Sequence, residues 1–172
     1  SHVSFDVHID AAKVDAADPG AGDFRSIARS SFAELFPEVT NRREQRDVQE
    51  ILSPGAPYVI RNYVIANPAA IGRTIRMSLP LADSFDQFHK GEIPRDGPES
   101  QRRVKDKQIV WFDKLVANGQ ISMPFNWGLF VHADSRFPEL AGLAGALTGS
   151  ALALLVCFAL SFPIGIAAAA YL

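Results

Sequence analysis

Not one Asp, Glu, Lys, Arg, His, Asn or Gln occurs between Leu140 and Leu172, while every charged side chain of this 172-residue chain lies before that stretch. The run LAGLAGALTGSALALLVCFALSFPIGIAAAAYL has only Thr148, Ser150, Ser161 and Tyr171 as polar side chains. A helix at the surface of a globular protein keeps one wet edge, so this absence excludes an ordinary surface helix. A membrane span or a fully buried core helix is left. A bilayer core about 30 Å thick needs roughly 20 apolar residues in helix, and Leu140 to Phe162 would rise roughly 35 Å. The stretch therefore predicts a membrane span. It lies at the wrong end, and is too long, for a secretory signal.

Other shortages exclude other classes. The one cysteine, Cys157, rules out an internal disulfide and leaves the redox compartment open. With 17 basic against 19 acidic residues there is no charge excess to argue for nucleic acid or an anionic membrane surface. No Gly-rich phosphate loop occurs, and Ser30 and Ser31 lack the turn context of a nucleophile elbow. His8, Asp10, His89 and His132 could meet around a metal, but no pair has a spacing typical of zinc sites; they read as solvent-facing polar residues. Nothing argues for catalysis, and no cofactor is expected. The chain opens Ser-His-Val without Met and stops inside apolar sequence, which suggests a piece of a longer protein. Without a Lys/Arg cluster beside the apolar run, membrane orientation is not legible from charge.

What is present before the apolar run reads as one small α+β domain over residues 1–136, with three or four helices. Val3, Phe5, Val7 and Ile9 alternate with polar residues and predict a strand. Ala11 to Gly22 is a loop. Asp23 can cap a helix with apolar positions Phe24, Ile27, Ala28, Phe32, Leu35 and Phe36, closed by Pro37. Asn41 and Glu44 resemble a capping box for a short charged helix that Ser53-Pro54-Gly55 ends. Tyr58 to Ala66 is apolar enough for helix or strand and leans to helix. Ile75, Met77, Leu79 and Leu81 predict a second strand, which Pro80 places at an edge or bulge. After a loop over Gly91 to Ser100, Pro98 suits the first turn of a helix running to about Ala117, stopped by Asn118-Gly119. Ile121 to His132 is expected as strand, interrupted at Pro124. The pairs Arg42-Arg43 and Arg102-Arg103 could meet an acidic partner but read as wet helix faces.

Residues 137–172 then form the membrane helix, with Pro138 and Glu139 suited to its first turn. Ala141, Gly145, Gly149 and Ala153 recur every four residues and make one stripe of small side chains, a face on which two helices can approach closely in lipid. The stripe is also compatible with small residues simply being common in membrane helices. Pro163 and Gly165 are expected to break the helix, which fits a bundle of several spans better than a lone anchor.

The segment Asp134-Ser135-Arg136, Pro138-Glu139, Gly142, Gly145-Ala146, Gly149-Ser150 and Phe162-Pro163-Ile164-Gly165-Ile166-Ala167-Ala168-Ala169 to Tyr171-Leu172 resembles PstA-type permease subunits of bacterial phosphate ABC transporters. Asp106-Lys107-Gln108-Ile109-Val110-Trp111 to Phe125-Asn126-Trp127 resembles an extra N-terminal region in a proteobacterial subset of them. The likeness covers about residues 104–172. It implies an inner-membrane protein, with residues 1–136 periplasmic and inserted between two membrane helices. It also implies three kinds of partner besides the lipid bilayer: a second permease subunit, an ATPase subunit and a periplasmic phosphate-binding protein. A preceding helix, and the cytoplasmic loop that docks the ATPase, would lie outside this chain. The rival expectation is a single-span, C-terminally anchored protein whose domain binds a partner.

Overall fold

The computed structural model describes residues 1–15, 17–125 and 142–171. They fall into two compact units, Ser1–Pro124 and Phe125–Leu172.

In the first unit, β1 (His2–His8) is the middle strand of a three-stranded antiparallel sheet, between β2 (Thr74–Pro80) and β3 (Ile121–Ser122). Its period-two pattern sets the register. Val3 faces Leu79, Phe5 faces Met77 and Val7 faces Ile75, so the apolar side chains of both strands share one face. Val3, Phe5 and Val7 are buried on that face, while Asp6 and His8 are exposed on the other. Pro80 sits on β2, an edge strand, where a missing N–H costs least. Its carbonyl still accepts from the Ser53 N–H at 3.0 Å.

Helices cover the apolar face. α1 (Phe24–Ala33) starts where the Asp23 carboxylate accepts from the Ser26 N–H at 3.0 Å. α2 (Arg42–Gln49) starts at Asn41, whose side-chain oxygen accepts from the Arg43 N–H at 2.9 Å. α3 (Ala56–Ala66) has Pro57 in its first turn. α4 (Asp83–His89) buries Phe85 and Phe88. α5 (Asp106–Ala117) buries Trp111, Phe112 and Leu115 and stops at Gly119, whose φ of 66° is left-handed. Aromatic rings link the layers edge to face: Phe5 to Phe32 at 5.3 Å, Phe32 to Phe36 at 5.8 Å, Phe88 to Phe112 at 5.8 Å.

Three expectations change in this unit. First, the helix predicted from Pro98 is only a 3-10 turn at Glu99–Gln101, and α5 begins at Asp106. Arg102 and Lys105 are extended between them, which lets Val104 enter the core. Second, five α-helices form in this unit rather than three or four. Third, the strand expected over Ile121 to His132 has only Ile121–Ser122 in the sheet, and residues 126–132 lie outside the described residues.

The second unit holds α6 (Ala144–Tyr171). The expected break at Pro163 and Gly165 does not end it. The helix continues through both. The chain is thus an α+β domain with a long apolar C-terminal helix.

Candidate functional site

Two surfaces stand out, one in each unit. On α6 an 18-residue window reaches a mean hydropathy of 2.4, and none of it is buried. By length and composition the helix can cross a membrane. Two of its hydroxyls bond within the helix: Thr148 donates to the Ala144 carbonyl at 2.7 Å and Ser150 to the Leu147 carbonyl at 3.0 Å. An apolar solvent requires that internal pairing. Within the stripe of small residues, a Cβ added at Gly145 or Gly149 would meet nothing within 4 Å; Ala153 is exposed on the same helix, and Ala141 lies outside the described residues. Phe158 and Phe162 stack at 5.2 Å one turn apart.

The polar candidates of the first unit dissolve into ordinary structure. The His8 ring bonds Thr74 Oγ1 at 3.1 Å, and Asp10 Oδ1 accepts from the Ala12 N–H in a turn. The His89 ring bonds Ser1 Oγ and stands edge-on to Phe112. His132 lies outside the described residues. No group of three His, Cys, Asp or Glu gathers among the described residues. Ser30 Oγ donates to the Ser26 and Ile27 carbonyls, and buried Ser31 accepts from the His8 N–H. Both serines are engaged in local bonding.

Of the arginine pairs, Arg42 and Arg43 are exposed at the start of α2, as expected of a wet face. Arg102 is different. It precedes α5, its side chain is 7% exposed, and it joins Asp106 while donating to the Arg95 carbonyl at 3.0 Å. These contacts draw its stem off the surface.

Charge elsewhere is sorted by helix. Lys105, Lys107 and Lys114 reach Asp47, Glu44 and Glu38 respectively, tying α5 to α2 and to the loop before it. Buried Gln108 completes the seam, donating to the Asp47 carbonyl at 2.8 Å and to Glu50 at 3.0 Å while accepting from the Lys105 N–H. The lysine bonds draw the Glu38 carboxyl below its ordinary range and raise the Lys105 and Lys107 amines.

On the other side of α2, Arg25 and Arg29, one turn apart on α1, line a 410 Å³ groove with Arg46. Its apolar lining is Leu52, Pro54, Pro57 and Ala82. None of the three guanidiniums has an ion-pair partner among the described residues. Glu50 borders the groove, but its carboxylate is held by Gln108 and lies 3.9 Å from Lys105. A second groove, of 680 Å³, is also lined by α1 and α2 and is mostly apolar, with Phe36, Pro37, Val39 and Val48. The sequence reading missed the arginine groove. Its only signal was Arg25 and Arg29 at helical spacing, and nothing local announces that Arg46 joins them.

No curated protein and no solved structure matches the chain. One family model does match, over residues 1–99, which is more than half of the chain, and its description is a domain of unknown function, DUF3333. The matched region takes in β1, β2 and α1 to α4, with the arginine groove. The chain belongs to the DUF3333 family.

Proposed function

We propose that this chain is part of a permease component of a phosphate-import ABC transporter: an extramembrane domain with one membrane-crossing helix. The observation that carries the reading is α6, uncharged from end to end and with no buried residue. The resemblance of residues 104–172 to PstA-type permeases supplies the transporter class. On this reading the protein resides in the bacterial inner membrane, the domain is periplasmic, and its partners are a second permease subunit, an ATPase subunit and a periplasmic phosphate-binding protein. The stripe of Gly145, Gly149 and Ala153 would face another helix, where van der Waals packing drives association in lipid. Neither this reading nor its rival assigns catalysis to the chain.

One observation favours the rival, a single-span anchored interaction protein. α6 runs as one helix through Pro163 and Gly165 rather than ending there, as a lone span can. Deleting the gene and measuring uptake of radiolabelled phosphate by starved cells separates the two. Loss of uptake, restored by the gene on a plasmid, is expected. Uptake unchanged by the deletion would leave the anchored interaction protein as the better reading.

A further inference from the structure

We infer that the α1–α2 face of the first unit is a docking surface for an acidic segment of a partner protein, one that carries apolar side chains between its carboxylates. Around α5, Lys105, Lys107, Lys114, Arg95 and Arg102 each contact a carboxylate. Several other cations contact none among the described residues, Arg61, Arg73, Arg76 and Arg103 among them, and what sets three apart is a shared groove. Arg25, Arg29 and Arg46 contact none among the described residues, are exposed, and line one groove. Three like charges brought to one groove without counter-charge repel one another, a cost that an arriving anion removes. The one carboxylate at the rim, Glu50, is turned to Gln108 and Lys105.

The chemistry of the groove selects the occupant. A guanidinium presents a planar fork of donors that fits a carboxylate in two parallel bonds. The arginine groove has an apolar lining of Leu52, Pro54 and Pro57, and the connection from α1 to α2 lines the larger groove with Phe36, Pro37 and Val39 beside one carboxylate, Glu34. A small inorganic anion uses the arginines and leaves both apolar linings wet. A nucleic acid meets a chain of net charge −2, with no wider basic field. A peptide segment with alternating acidic and apolar side chains uses all of it. The surface belongs to the first unit alone, so the inference does not depend on the transporter reading.

The test uses the full chain in nanodiscs of phosphatidylcholine, which bring no anionic lipid. A fluorescein-labelled peptide of alternating Glu and Leu should bind by anisotropy, and its Gln/Leu counterpart should not. The variant R25Q/R29Q/R46Q should weaken binding about tenfold or more, since charged pairs in a docking groove act on affinity and off-rate. The variant R73Q/R76Q/R103Q has the same net charge but leaves the groove intact, so it should change binding by no more than about twofold. R25K/R29K/R46K preserves charge and stem, and hence the fold, and should bind between parent and glutamine variant. Equal loss in both glutamine variants would show diffuse charge attraction and overturn the inference. So would failure of the peptide to bind. Displacement of the peptide by millimolar inorganic phosphate or by phosphatidylglycerol vesicles would overturn it too, assigning the groove to small anions or to lipid.

Discussion

Gln108 shows how one residue can decide the packing of two helices. It is buried, with 2% exposure, and its amide meets donors and acceptors on both α2 and the start of α5. Replacing it with Leu keeps the volume but strands the Asp47 carbonyl and the Lys105 N–H. That should cost about 1–3 kcal/mol. Lys105→Ala removes a half-exposed ion pair and should cost about 1 kcal/mol or less. Thermal unfolding of the full chain in detergent, followed by circular dichroism, would compare them; equal losses would deny Gln108 this role. Two other residues set the acid side. Burial pushes the Asp86 carboxyl up, yet side-chain hydrogen bonds from Lys90 and Ser1 outweigh it and hold it below the ordinary carboxylate range. Burial lowers the His2 imidazole, whose Nδ1 has no partner among the described residues. Both groups bind protons more readily in the unfolded chain, so stability falls as pH falls. The His2 contribution is lost below about pH 6.5, and the Asp86 contribution below about pH 4, down through its folded value. His2→Gln should remove the first limb of a melting-temperature profile and leave the second; a profile unchanged from pH 7 to 5 in the parent would contradict this.

At the scale of elements, α6 and α2 illustrate opposite ways of holding a helix. α2 buries only Val48, and its position depends on the charged contacts with α5 and on Asn41 at its start. α6 has no buried residue and no charged side chain, and its Thr148 and Ser150 hydroxyls bond back to the helix. If its small-residue stripe faces another helix, Gly149→Leu puts a bulky side chain where two backbones must nearly touch. Association with a second membrane subunit should fail, while insertion persists because the helix stays apolar. Leu152→Ala, off the stripe, should be milder. Co-purification in detergent, with a check that each variant reaches the membrane, reads the outcome. A Gly149→Leu chain that co-purifies like the parent while Leu152→Ala does not would place the packing face elsewhere on α6.

At the scale of the whole molecule, the family region and the folded unit do not end together. Residues 1–99 carry the DUF3333 match, but the first unit runs to Pro124. Residues 100–124 supply β3, which pairs with β1, and α5, whose Trp111, Phe112 and Leu115 close the core. A chain of residues 1–124 should therefore unfold cooperatively in urea. A chain of residues 1–99 should leave Phe85 and Phe88 without Phe112, and Phe36 without Trp111, and be aggregated or only partly folded. Equal cooperativity of the two would show that α5 is dispensable. Features that depend on neighbours along the chain were legible from residue order alone. The alternation of Val3, Phe5 and Val7 marked β1, Asp23 and Asn41 marked helix starts, Gly119 marked a stop, and the absence of charge after Glu139 marked α6. Only the tertiary structure decided what depends on residues far apart. Arg102 is buried and the helix starts at Asp106 rather than Pro98, because the loop must bring Val104 into the core. Arg25, Arg29 and Arg46 share a groove because α1 packs on α2. Spacing of 3.6 or 2 residues encodes which face of one element is apolar, and says nothing of which charged face of another element will stand beside it.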